Sequence, residues 1–319
     1  MGIVWSALAI MAVADDKPGL GEANKFVERG IQFYNKNSLT RAKSEYEKAL
    51  KVYPKHLDAL YNLGVVCERL GETKEAIEHY KRYLELKPDD AEVWNQLGVL
   101  DDDTGRKDDA RAAYEKAIEL NPKFGRAHNN LGVLLKEQGK FKEAQAHFEE
   151  FVKLDEASGH PTGDAYYSLG ILYMEQGRVK DAKLLLQKAL DADPSISYYN
   201  NAMGDVYLLE KEPKTAVVYY KKVIEKDPKY ALAYSGLGDA QAQLGERDKA
   251  GESYRKALEL RPSYSLIEFK LGRLYAETNP AEAIKHFETY LKSGKNQEFK
   301  EPATAELEKL KQTPKTTQP

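Results

Sequence analysis

The sequence predicts an all-α solenoid, a tandem array of stacked helical hairpins, and three observations lead there. Glycines recur at Gly30, Gly64, Gly98, Gly132, Gly170, Gly204, Gly238 and Gly272, and six of the seven intervals are 34 residues. A period of this length marks a repeat architecture in which one supersecondary unit is used many times. The second observation is the company each glycine keeps. An alanine stands twelve residues after it from Ala42 to Ala250, a large apolar residue stands sixteen after it from Tyr46 to Tyr254, and proline stands twenty-four after it at Pro54, Pro88, Pro122, Pro194, Pro228 and Pro262. The third is composition: 21 tyrosines against 9 phenylalanines point to one structural position filled repeatedly, and a single cysteine, Cys67, leaves stability to packing rather than to disulfides.

Each element follows from local chemistry. Residues 91–105 carry Val93, Trp94, Leu97 and Leu100 at helical intervals, and after a glycine turn a second helical stretch carries Ala110, Ala113, Tyr114, Ala117 and Ile118. Glycine and alanine are small so that the two helices approach closely, the aromatic ring fills the gap between them, and proline ends the second helix. Eight such hairpins exceed the roughly three that a stacked array needs. The spacing divides the chain into repeats 1 to 4 over residues 23–158 and repeats 5 to 8 over 163–297. Between them the glycine interval lengthens to 38 and Glu156 replaces the expected proline, which makes 159–162 an insertion and the expected hinge. Residues 15–22 read as a linker. The stretch 298–312, with Pro302, Ala305, Leu307 and Leu310, reads as an amphipathic helix that caps the array, and 313–319 as a disordered tail.

These glycines, alanines, aromatics and prolines resemble the tetratricopeptide repeat family over about residues 23 to 297. The resemblance implies a right-handed superhelix whose concave surface is lined by the first helix of every hairpin, and a non-enzymatic scaffold that binds a segment of another protein and helps assemble a multi-protein complex.

Catalytic and metal-binding patterns do not emerge. Glycine pairs such as Gly64 and Gly71 are seven apart, unlike a phosphate loop, and no Lys-Ser or Lys-Thr follows the second. His128 takes the place of Trp94, Tyr166 and Tyr234 in other repeats and is expected to pack, and Cys67 is expected to be a buried, inert thiol. The run Asp101, Asp102 and Asp103 with Asp108 and Asp109 reads as a solvated acidic face. No cofactor, no metal and no enzymatic activity are expected. With 48 basic and 51 acidic residues the chain has no field that would draw it onto nucleic acid.

The resemblance places the binding groove at positions two and three before each repeat glycine and one after it. Those columns give the candidate peptide-binding residues: Tyr61, Asn62 and Val65 in repeat 2, Asn95, Gln96 and Val99 in repeat 3, Asn129, Asn130 and Val133 in repeat 4, Tyr167 in repeat 5 and Asn201 in repeat 6. Side-chain amides carry a donor and an acceptor, so a row of them, open to water in the free protein, can satisfy the backbone of an extended segment. The row is similar to the asparagine ladder of the O-linked N-acetylglucosamine transferases, and an ordinary tolerated polar position is the competing explanation. The chaperone-type carboxylate clamp is absent, because the three-before column through Ser235 has no cation.

Repeats 2 and 3 hold 16 acidic and 10 basic residues, so a neutral or basic partner segment is favoured there. Two further roles stay open: a substrate-recognition subunit for a separate glycosyltransferase, and an envelope or pilus assembly factor, although the lipid-anchoring cysteine of pilotins is missing. Terminal repeats could also pair in a homodimer. Residues 1–14 are apolar from Ile3 to Ala14 apart from Ser6 and end in Ala12-Val13-Ala14, the pattern of a signal peptide or of a retained hydrophobic segment. The first implies a periplasmic or secreted protein, the second leaves a cytoplasmic one.

Overall fold

The computed structural model describes residues 18–159, 161–294 and 298–312, so the expectations for residues 1–14 and 313–319 fall outside the described residues. No helix among the described residues is long and apolar enough to cross a membrane. The described chain is a succession of α-helices that divides into two compact units at Gly139 and Lys140. Unit 1 contains the hairpins α1 (Leu20–Asn35) with α2 (Leu39–Val52), α3 (Leu57–Leu70) with α4 (Thr73–Leu86), and α5 (Ala91–Asp103) with α6 (Lys107–Leu120), followed by α7 (Gly125–Glu137). Unit 2 begins with α8 (Phe141–Ala157) and continues as α9 (Gly163–Glu175) with α10 (Val179–Ala192), α11 (Ser197–Leu209) with α12 (Pro213–Lys226), α13 (Ala231–Gln243) with α14 (Arg247–Leu260), and α15 (Leu266–Tyr275) with α16 (Pro280–Ser293), closed by α17 (Lys300–Gln312).

Steric fit decides how each hairpin closes. A methyl group placed on Gly64 would stand 2.6 Å from the Tyr80 ring, and one on Gly98 would stand 2.6 Å from the ring of Tyr114. The same contact joins Gly204 to Tyr220 at 2.7 Å, Gly238 to Tyr254 at 2.5 Å and Gly272 to Phe287 at 2.7 Å. Each ring therefore lies flat on bare backbone, and Tyr46, Tyr80, Tyr114, Tyr220 and Phe287 are fully buried there. The alanines of the twelve-after column, from Ala42 to Ala250, have no exposed surface.

The turn inside a hairpin needs a left-handed residue, and Gly71, Gly105, Gly139, Gly177 and Gly245 supply it with φ between 73° and 78°. Asn37 and Lys211 take the same conformation in the first and sixth hairpins. At the other end the residue before each proline is extended, as at Tyr53 (φ −135°, ψ 91°) and Asp193 (φ −148°, ψ 99°), because the proline ring excludes the helical conformation there. Without that proline α8 runs 17 residues, where α10 stops at 14.

The proline's own carbonyl lies between the two helices, and in three repeats a residue of one column donates to it. Trp94 Nε1 donates to the Pro88 carbonyl at 2.9 Å, His128 Nε2 to that of Pro122 at 3.1 Å, and Asn200 Nδ2 to that of Pro194 at 2.9 Å, each six residues on. His128 is a packing residue, 7% exposed. In the fifth repeat, where Glu156 stands for proline, Tyr166 gives its hydroxyl to the Glu156 carboxylate at 2.8 Å instead.

Two expectations need correction. Asp101 does not belong to a solvated face: it is 1% exposed and accepts Arg106 Nε at 2.9 Å and Nη2 at 2.7 Å, because it lies two residues from the end of α5 and the Arg106 side chain at the start of the next helix folds onto it. In α17 the apolar contact with α16 comes from Ala303, Leu307 and Leu310, while Ala305 is exposed, since the helix phase places residue 303 and not 305 in line with 307 and 310.

Gly98→Ala should lower stability by about 2 kcal/mol, the usual cost of one methylene too many in a packed core. Gly170→Ala, whose methyl would meet the Leu186 side chain at 3.1 Å and the Ala182 carbonyl oxygen at 3.5 Å, should cost clearly less. Urea melts followed by far-ultraviolet circular dichroism check the order, and equal losses would mean that the ring contact is not what excludes a side chain.

Candidate peptide-binding faces

Along each unit the first helices of successive hairpins lie side by side, α1 against α3 and α5 against α7 in unit 1, α9 against α11 and α11 against α13 in unit 2. Several hydrogen bonds span one repeat length as a result. Arg126 Nη2 donates to Glu92 at 2.9 Å and Asn130 Nδ2 to Asn95 Oδ1 at 3.0 Å, 34 and 35 residues apart in sequence.

In unit 1 the nine candidate residues lie on α3, α5 and α7 in matching register. Tyr61, Asn62, Val65, Gln96, Val99, Asn129, Asn130 and Val133 are half-buried, as expected of a face that is neither core nor fully exposed. Asn95 is different: it is 4% exposed, and the amide row is therefore not open throughout. Asn95 faces α7 of the following repeat and spends its oxygen on Asn130. Tyr61 is likewise engaged, with its ring 6.1 Å from that of Tyr80 and 6.0 Å from that of Tyr83. Burial first, then the charges of Glu92, Asp90 and Glu68, raise the Tyr61 hydroxyl above its ordinary pKa, so it stays a neutral donor.

The other chemically suggestive group in unit 1 is Cys67 with Glu72 and Glu75, whose ligand atoms converge. Lys43 already occupies that convergence, with its ammonium 2.7 Å from Glu72 and paired to Glu75. The hydrogen bonds to these carboxylates hold the lysine charged, and burial pushes the thiol up to about 12. A thiol so placed is a poor nucleophile at neutral pH.

Tyr167 and Asn201 belong to unit 2, where the face has another chemistry. Tyr198 and Tyr199 both donate to Asp164 Oδ1, at 2.5 and 2.6 Å, and Tyr167 meets the ring of Tyr198 edge-on at 4.9 Å. Asn201 Nδ2 donates to Asp205 Oδ2 at 3.1 Å, and Tyr220 gives its hydroxyl to Asp205 Oδ1 at 2.6 Å. One repeat on, Tyr254 does the same for Asp239 at 2.7 Å. The ring that closes each of these two hairpins thus delivers its hydroxyl to a carboxylate one residue past the repeat glycine.

Models described as tetratricopeptide repeat match residues 27–91, 124–195 and 231–264, and one described as TPR repeat matches 103–139 and 204–245. The chain belongs to the tetratricopeptide repeat family. No curated protein matches the sequence. Among solved structures it is similar to a chain of the APC/C hetero-tetramer Cut9-Hcn1, at 19% identity and a TM-score of 0.67 over 85% of this chain and 52% of that one. This chain therefore spans about half the length of that relative. A tetratricopeptide repeat protein from Parabacteroides merdae ATCC 43184 is similar at 19% identity and a TM-score of 0.66, over 78% of this chain and 96% of that one. YrrB, titled a TPR protein with an unusual peptide-binding site, aligns at 26% identity and a TM-score of 0.44 over 59% of this chain and 95% of its own.

Within these tetratricopeptide repeats the one-after column contains Asp205 and Asp239, whereas Asp164 and Tyr198 stand six before Gly170 and Gly204, outside the groove columns. The signal was present in the sequence: tyrosine sixteen after the glycine combined with aspartate one after it occurs at Gly204 and Gly238. Burial, reinforced by the charge of Asp239 and opposed by the Tyr220 hydroxyl and Lys270, raises the Asp205 carboxyl to about 6.

Two outcomes follow. A carboxyl raised above its unfolded value near 4 adds stability that is complete below that value and is lost as pH rises through 6. Asp205→Asn removes the dependence, so its stability relative to the parent should improve by about 1–3 kcal/mol between about pH 4 and pH 7.5; thermal melts at the two pH values measure it, and a constant difference would refute the assignment. Asn95→Ala should destabilise by about 1–2 kcal/mol because it strands the Asn130 amide, whereas Gln96→Ala should change stability by less than about 0.5 kcal/mol. Chemical denaturation of the two variants side by side tests that contrast.

Proposed function

We propose that this tetratricopeptide repeat protein is a non-enzymatic scaffold whose first-helix faces bind a segment of a partner protein and so assemble it into a complex. The observation that carries the reading is the half-buried register of Asn62, Val65, Gln96, Val99, Asn130 and Val133 on three neighbouring helices of unit 1. Alternating amide and aliphatic groups offer hydrogen bonds to a backbone and apolar contact to its side chains without fixing a particular sequence. On the same unit the Cys67 thiol is held inert by burial, and the Lys43 ammonium is held charged by its hydrogen bonds to two carboxylates. The excess of acidic residues in repeats 2 and 3 favours a neutral or basic segment there.

A crosslinked pull-down from native cells, with the full chain beside an Asn62→Ala, Gln96→Ala, Val99→Ala variant, tests the reading. Partners captured by the parent should fall at least about tenfold in the variant while circular dichroism stays unchanged. An identical partner set from both proteins would remove the site from these helices.

A further inference from the structure

The first-helix face of unit 2 supports a more specific statement, which rests on the segment-binding reading above. We propose that Asp205, together with the rings of Tyr167, Tyr198 and Tyr230, forms a receptor for one cationic side chain, arginine or lysine, of the bound partner segment.

The argument begins with an internal comparison. Asp239 lies one repeat after Asp205 in the same column, and both accept a tyrosine hydroxyl from the second helix of their own hairpin. Asp239 also receives a cation: Lys270 on α15 places its ammonium 2.6 Å from Asp239 Oδ2 and 3.1 Å from Ser235 Oγ. The residue 34 positions before Lys270 is Gly236, so the repeat that follows Asp205 brings no ammonium group to it. Among the described residues Asp205 has no ion pair; its hydrogen bonds come from Tyr220 and Asn201. Beside it the Asn201 oxygen, sealed from solvent, has no donor. One repeat of the array thus shows how a cation completes this pocket, and its neighbour presents the same carboxylate with the cation missing.

The surroundings suit a cation brought from outside. Tyr167 and Tyr198 stand edge-to-face at 4.9 Å, and both are half-buried, as is Tyr230 at the entrance to α13. Tyr198, Asn201 and Asp205 stand at i, i+3 and i+7 on α11 and so share one face of that helix, which α9 and α13 flank, and the Tyr167 hydroxyl is raised to about 12 by burial and then by Tyr230, Asp205, Tyr198 and Asp164. Asp205 and Asp227 act on Tyr230 in the same sense, after burial. Ring faces attract a guanidinium or ammonium, and a partly desolvated carboxylate strengthens the attraction. An anion would be repelled by Asp164 and Asp205 together, and a neutral side chain would leave the Asp205 charge uncompensated.

The test uses random-sequence peptides displayed on phage and selected on the full-length protein, then synthesised for fluorescence anisotropy. Selected peptides should share an arginine or lysine at one position. Replacing that arginine by citrulline, or that lysine by norleucine, should weaken binding to the parent protein about tenfold or more and to Asp205→Asn less than about twofold. Tyr230→Leu, which keeps bulk and removes a ring face, should weaken the cationic peptide severalfold and leave the neutral one unchanged, and it provides the test if Asp205→Asn does not fold. Peptides that bind equally well with and without the cation, or whose dependence on it survives both substitutions, overturn the receptor but leave the groove reading in place. Failure to select any binding peptide overturns both.

Discussion

Everything described above depends on the contact between a bare glycine Cα on the first helix of a hairpin and a flat ring on the second. At Gly98 and Tyr114, or Gly238 and Tyr254, there is no room for a methyl group, so helix separation within the hairpin is set by the thickness of a ring. The alanine four residues before the ring lets the backbones approach on one side of it, as with Ala110 before Tyr114. A repeat closed this way still leaves apolar surface at both ends, and that surface is what the next hairpin covers.

The same contact links packing to surface chemistry. A phenylalanine would fill the slot as well, as Phe287 does against Gly272, but a tyrosine carries its hydroxyl through the hairpin to the far side. At Tyr220 and Tyr254 that hydroxyl reaches a carboxylate on the first-helix face, and the buried ring becomes part of a polar site. Deprotonation of either phenol is suppressed by burial before any charge is considered, so both remain donors throughout the physiological range.

The two units use their first-helix faces differently. Unit 1 presents amides and aliphatic groups, with Asn130 tied back to Asn95, and carries ion pairs such as Lys43 with Glu72 and Lys107 with Glu137. Unit 2 presents phenols and carboxylates, with Lys270 paired to Asp239 and no ion pair on Asp205 among the described residues. Under the proposed function, a face of the first kind would tolerate many segments and one of the second kind would select for charge.

The sequence by itself determined the repeat, the hairpin and the family, because these follow from where a chain can have no side chain, where it cannot continue a helix and which residues can share a small gap. It also indicated that His128 and Cys67 are packing residues, since each stands in a column that other repeats fill with apolar or aromatic groups. It gave Gln96, Asn130 and Asn95 one standing, although the first two are half-buried and Asn95 is buried, because a column assigns a residue to a helix face and not to a depth. Depth is settled by the packed neighbours: Asn95 faces α7, the Arg106 side chain folds onto Asp101, and the phase of α17 exchanges Ala305 for Ala303. The pairing of Tyr220 with Asp205 and of Lys270 with Asp239 was decided by tertiary structure alone, since it requires side chains 15 and 31 residues apart to meet on one face. Periodicity fixes which residues are equivalent, and only the packed neighbours decide which of those equivalents is satisfied and which still lacks a partner.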